Sequence, residues 1–323
     1  MKEILNHNFQ NVKKKQHYVW KKYLLNWSDS TEEKIYSYIH FKKEVFFQSP
    51  ENIAQQRYFY ELYEFTIEEE KKLFEFIKVM GSGLDHNLNI EIFKTYTIYS
   101  NLKRQLDTKY IHKLNPKEIE IYESDLRVLK ANTIENFHSR IENLGKNLIS
   151  VNKFEDLNYL NSKQELYNTI LFICFQANRT KSMKSNLVEL FQNDNFIDEK
   201  FINVTPLLVS YTVAQKLCIE NDLKFIYFDN QTSEKFLTTD QPVINLDKDD
   251  VDSDGNIKKL RYYYPISPEI ALIIHTESQN EKYLYQEADI NLIEKLNMFM
   301  IKNSKEFIIT KTNNQLDKYM NSL

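Results

Sequence analysis

Four glycines and six prolines are all that punctuate 323 residues, and this scarcity constrains the fold more than any motif does. Gly and Pro end helices and build tight turns, so a chain with so few of them tolerates long uninterrupted helices. Twenty-one Phe and twenty-one Tyr supply the large apolar surfaces that such helices bury against one another. A helix-rich protein with an aromatic core is expected. The length alone corresponds to about two domains, yet no Pro-, Gly- or Ser-rich linker marks a boundary, and residues 1–323 read as a single unit. Such a chain can bury a core without disulfides or metals to hold it together.

Charge and cysteine usage narrow the class. Forty-two basic against 46 acidic residues give a net charge of -4, which argues against the broad basic face that non-specific nucleic-acid binding needs and leaves room only for a local basic groove. Cys174 and Cys218 are too few for a disulfide framework, and Cys174 sits inside the apolar run Leu171–Phe175 as a core residue. A polar N-terminus, and no stretch approaching the ~20 apolar residues that span a bilayer, point to a cytoplasmic protein without a membrane partner.

Apolar spacing then divides the chain. Trp20, Tyr23, Leu24 and Trp27 form the stripe of a short amphipathic helix, and Lys34–Ile39 with Val45–Phe47 alternate as a strand pair. The spacing of Ala54, Tyr58, Leu62 and Phe65 predicts a helix from Pro50, and Thr66 with Glu69 reads as a capping box opening a helix from Ile67 to Val79, ended by Gly81 and Gly83. Three helices follow between Asn89 and Val151, with Asn115 as a cap before Pro116. One long helix is expected from Glu165 to Leu190 and another from Leu207 to Cys218. Beyond Asp222 the period shifts toward two: Lys224–Phe228, Phe236–Thr239, Val243–Leu246, Lys259–Tyr264 and Ile270–His275 read as strands, with Asp254–Gly255 as a hairpin turn. A helix from Glu287 to Lys302 and a strand at Glu306–Thr310 complete the chain. The expected fold is α+β and predominantly α-helical. A helical part spans about 50–220, and a mostly antiparallel sheet spans about 222–310, joined by the N-terminal hairpin at 34–47.

Few stretches carry chemistry. Asp250, Asp252 and Asp254 with Gly255 match the opening of a calcium loop, but the twelfth position is Arg261 where a bidentate Glu belongs, and a solvated acidic hairpin is the better reading. Phe236–Val243 is an apolar run that stops at Asp240 and turns through Pro242, bringing polar groups to a sheet rim. Asp240 serves there as a general base, a metal ligand, a partner for an Arg, or the acceptor of an Asx turn. Arg179 ends a strongly apolar helix, with Gln176 one turn before it and Thr180 beside it; a guanidinium so placed needs a carboxylate or a phosphate. Both a salt bridge to Asp240 and recognition of an anion satisfy that need. His17 is either a hydrogen-bonded core residue or an acid–base group. The motifs of zincins, zinc ribbons, α/β-hydrolases, P-loop NTPases and Rossmann enzymes are absent.

Four blocks in order resemble the mainly bacterial family known as domain of unknown function 4238: Gln16-His17-Tyr18-Val19 with Tyr23-Leu24 and Asn26; Gln176 with Arg179-Thr180; Thr238-Thr239-Asp240-Gln241-Pro242-Val243; and Pro265-Ile266-Ser267-Pro268. Trp20 replaces the family's usual Pro, and Thr239 and Gln241 replace its Ser and Asn. The resemblance groups His17, Arg179 and Asp240 as one site and implies no established reaction; a role in conflict with phage fits such accessory proteins. On that grouping the expected function is a hydrolase of a phosphate-containing substrate, nuclease-like or nucleotide-hydrolysing. His17 would act as acid or base, Arg179 would hold the anion, and Asp240 would orient His17 or bind a divalent metal. Gln16, Gln176, Thr180, Thr239 and Lys184 would line the ligand, itself a nucleotide or nucleic acid. Two rivals stand beside it: a non-enzymatic module that binds a small anion or a partner protein from the same operon, and a buried polar network with a purely structural role.

Overall fold

The computed structural model describes residues 11–28, 31–191, 199–220, 222–253, 257–277 and 281–320. It is a mixed α+β protein in which helix outweighs strand. Strand β1 (Lys15–His17) leads into α1 (Lys21–Leu24), and a hairpin of β2 (Ile35–Ile39) and β3 (Glu44–Gln48) precedes β4 (Gln55–Arg57). The helices α2 (Ile67–Met80), α3 (His86–Gln105), α4 (Pro116–Leu144), α5 (Lys163–Asn178), α6 (Lys181–Phe191) and α7 (Thr205–Glu220) come next. The C-terminal part holds β5 (Lys224–Asp229), β6 (Thr238–Thr239), β7 (Ile244–Asn245), β8 (Arg261–Pro265), β9 (Ile270–His275), β10 (Tyr283–Glu287), α8 (Ile290–Asn303), β11 (Phe307–Thr310) and α9 (Asn313–Met320).

Local chemistry fixes many of these boundaries. Thr66 accepts from the N–H of Glu69 while Glu69 reaches back to the N–H of Thr66, and Asn115 and Glu118 do the same for α4, with Pro116 at the first helical position. Helix α5 is buried on every side from Thr169 to Gln176, as an all-round apolar helix must be, and packs against α7 and α4. Gly145 lets α4 end close to α5, since a Cβ there would stand 2.6 Å from the Phe172 ring.

Several expectations need correction. Residues 50–65 are not a helix: a single 3-10 turn at Pro50–Asn52 gives way to β4, which pairs antiparallel with β1, and Ala54 and Tyr58 take left-handed φ values of 57° and 55°. Backbone bonds from Tyr18 N–H to Ala54 O and from Tyr58 N–H to Lys14 O replace the helical ladder, so tertiary pairing overrides a helical spacing that merely delivers Phe59, Leu62 and Phe65 to the core. The second and third of the three helices expected before Val151 are one 29-residue helix, α4, because nothing at Lys130–Thr133 breaks it. The single helix expected over 165–190 is two, parted at Arg179 and Thr180, where the Thr180 hydroxyl accepts from the N–H of Met183 at the start of α6. Strand β10 and helix α9 carried no clear signal.

The C-terminal strands form two sheets where one was expected. One has the order β10-β5-β9-β8-β7 with β10 parallel to β5; the other, β3-β2-β11-β6, recruits the N-terminal hairpin through antiparallel pairing of β2 with β11. A further pair, β1-β4, stands apart. The segment Asp240-Gln241-Pro242 is where the chain crosses from the second sheet, through β6, to the first, through β7. Beneath it the N-terminal aromatic stripe is locked in place: Trp27 Nε1 donates to Phe236 O at 3.0 Å, and the Tyr23 hydroxyl lies 2.7 Å from Thr238 Oγ1 and donates to Pro265 O at 2.9 Å. The turn expected at Asp254–Gly255 lies outside the described residues; its flanks bridge antiparallel at Val251 and Ile257.

Candidate functional site

The crossing turn is saturated with hydrogen bonds. Asp240, 1% exposed, accepts through Oδ1 from Ser304 Oγ at 2.7 Å and from the N–H groups of Lys305, Glu306 and Phe307 at 3.1, 3.2 and 3.4 Å, and through Oδ2 again from Lys305 N–H at 3.3 Å. Burial raises its pKa, and these same donors oppose the rise. Thr239 closes the turn on itself, accepting from Gln241 N–H at 3.1 Å and donating to Gln241 O at 3.2 Å, while Gln241 Nε2 donates to Asn303 O. Asp240 therefore fastens the junction of α8 and β11, in the manner of a backbone anion nest whose anion is the protein's own.

Arg179 lies in a different setting. At the C-terminus of α5 it is 2% exposed, and its Nη2 donates to Glu142 Oε1 at 2.7 Å and to Gln176 Oε1 at 3.3 Å. The salt bridge to Asp240 is thus not formed: Glu142, projecting from α4, is the partner of Arg179. Nε and Nη1 of Arg179 are buried with no hydrogen-bond partner among the described residues, and so are Gln176 Nε2, Tyr60 Oη, Tyr264 Oη, His138 Nδ1, Glu135 Oε2 and His17 Nε2. Such an accumulation is unusual, because buried polar atoms are nearly always paired and each orphan costs about 1–3 kcal/mol.

The Arg179 charge is felt by all the titratable members of this group. Burial, then Arg179, holds His138 well below its ordinary value, and burial, Arg179 and Lys21 lower His17, so both imidazoles are neutral near pH 7. Burial pushes Glu135 up to about 7 against the pull of Arg179, and burial likewise raises Glu142. Tyr60 and Tyr264 are pushed up by burial. Arg179 borders a recess of about 20 Å³, room for one water-sized group, together with Tyr60, His138, Thr180 and Lys184. The Lys184 ammonium also stands 5.2 Å over the Phe59 ring.

The other expected contacts divide accordingly. Both ends of the Gln16 carboxamide are engaged, donating to Ala131 O at 2.7 Å and accepting from Tyr60 N–H at 2.6 Å, so Gln16 positions Tyr60 over α4. Gln176, Thr180 and Lys184 belong to the Arg179 group or its recess, whereas Thr239 and Asp240 belong to the turn. Tyr60, Glu135, His138 and Glu142 were not singled out from sequence. The last three recur at i, i+3 and i+7 on α4, a polar line beside apolar Ile134 and Ile141, and that signal was legible. Among the described residues no three metal-ligating side chains converge, and no helix is long and apolar enough to cross a membrane.

Fold and site together define an α+β protein with a buried, incompletely paired cationic pocket set between α4, α5 and the N-terminal block. The chain belongs to the family described as protein of unknown function (DUF4238), whose model matches residues 15–314. No curated protein and no solved structure matches it.

Proposed function

We propose that the pocket at Arg179 binds a small oxyanion of the phosphate class. One observation carries this: a buried guanidinium turns one nitrogen to Glu142 and Gln176 and keeps two N–H donors unpaired beside a recess. Arg presents donors in a fork that matches two oxygens of a phosphate, and a ligand supplying them removes the desolvation penalty already present in the free protein. The recess admits one oxygen end-on, with the half-exposed Lys184 and the Tyr60 hydroxyl placed for the others. Calorimetric titration with inorganic phosphate at pH 7 is the direct test. Arg179→Lys, which keeps the charge and loses the fork, should weaken binding by about tenfold or more. Unchanged affinity in that variant, or no binding by the native protein, refutes the reading.

A second reading, hydrolysis of a phosphate ester, is favoured by Glu135. A carboxyl held near 7 in the same group as neutral His17 and His138 is matched to general acid–base work at neutral pH. It requires release of phosphate from a nucleotide or phosphodiester by the native protein, lost in Glu135→Gln while phosphate binding persists. Asp240 has no part in this mechanism, since its oxygens already hold Ser304 and three backbone N–H groups.

A further inference from the structure

The break between α5 and α6 has two sides. Arg179, Thr180 and Lys184 face the recess, whereas Asn178, Ser182, Met183 and Asn186 line a separate cleft of about 560 Å³ between the helices and the crossing turn. That volume lies within the range of sites for small organic ligands, whereas the recess is far below it. Opposed apolar walls come from Val209 and Val213 on α7 and from Val243 and Leu260 on the sheet side. Lys248, Lys302 and Lys305 stand around the opening, all exposed, and among the described residues no carboxylate lines the cleft. The nearest partners of two of these lysines are neutral: Lys248 donates to Asn303 Oδ1 at 2.5 Å and Lys305 to Asn186 Oδ1 at 3.1 Å. None of the three forms an ion pair with a described carboxylate, whereas Lys181 pairs with Glu306 and Lys258 with Asp250. A net-acidic protein thus places around one apolar slot three ammonium groups that have no carboxylate partner among the described residues.

We infer that this cleft is a second binding site, for a nucleoside phosphate. The apolar walls suit a flat base, the carboxamides of Asn178 and Gln241 line the cleft beside them, and the lysines suit the phosphate. An apolar slot alone would accept any hydrophobic body, and lysines alone would accept any anion; their combination selects a ligand with both. The inference is independent of the Arg179 reading, because the two cavities share no lining residue.

Equilibrium dialysis of the full chain with AMP tests it, with adenosine and ribose 5-phosphate as probes that each lack one half of the ligand. AMP should bind, and each half should bind about tenfold more weakly or worse. Lys248→Gln/Lys305→Gln should weaken AMP by about tenfold or more with an unaltered melting temperature, since both side chains are exposed. Val213→Trp, which fills the slot away from the recess, should abolish AMP binding. The inference fails if AMP does not bind, if adenosine or ribose 5-phosphate displaces AMP as well as AMP itself does, if a long-chain fatty acid binds in its place, or if the double lysine variant and Val213→Trp both retain AMP.

Discussion

Asp240 and Arg179 are both charges buried almost completely, yet the protein treats them in opposite ways. Asp240 is given a hydroxyl and three backbone N–H groups, whereas Arg179 is given Glu142 and part of Gln176 and keeps two donors empty. A buried charge whose valence is filled by the fold is a fastening. One whose valence is left partly open, beside a recess and among other unpaired atoms, is a position where a ligand would gain more than water offers. Sequence position did not separate the two, for both residues sit in polar breaks of apolar runs; the hydrogen-bond inventory did.

The comparison breaks most visibly at Asp240. Asp240→Ala would leave the N–H groups of Lys305, Glu306 and Phe307 without an acceptor, and chemical denaturation should register a loss of about 3–5 kcal/mol. A loss below about 1 kcal/mol would mean that the turn is not the fastening described.

The pH dependence of the Arg179 group gives a smaller effect with a definite sign. Glu135 is raised from 4.5 to about 7 in the folded state, so the folded protein holds more protons than the unfolded chain across that window and stability falls as pH rises through it. His17 and His138, lowered from 6.5, act oppositely and lose stability as pH falls below 6.5. Denaturation midpoints of native protein and Glu135→Gln, measured from pH 5 to 8, isolate the carboxyl. The stability difference should move in favour of the variant with rising pH, by at most about 1.4 kcal/mol per pH unit. A difference independent of pH would place Glu135 in contact with solvent.

The smallest expected change is the one that sharpens the contrast. Arg179→Met with Glu142→Gln removes both partners of the ion pair and replaces the guanidinium with an apolar chain of similar length. Stability should stay within about 1 kcal/mol of the native value, or rise, while phosphate binding disappears. A large destabilisation would make Arg179 a fastening like Asp240 and favour the buried polar network over the binding site.

How much was readable depended on where each interaction partner lay in the chain. The capping boxes at Thr66–Glu69 and Asn115–Glu118 need only three residues of sequence, and both formed. The strands from Lys224 to His275 carried their own period. Helix expected over residues 50–65 failed because β1, some 40 residues upstream, supplied a competing ladder. Arg179 was legible as a buried cation in need of an anion, and the chemistry of that need was correct; its partner was not Asp240 but Glu142, 37 residues back on a helix that no local signal brings alongside.

What the sequence determined by itself was thus local: where helices begin, which residues alternate, that His17, Arg179 and Asp240 sit in blocks typical of one family, and that the chain needs no disulfide. Only the tertiary structure decided that one break in an apolar run is a fastening and the other an incompletely satisfied pocket. Hydrogen-bond saturation is a property of three-dimensional neighbours, and two residues with the same burial differ in it only through what the rest of the chain places around them.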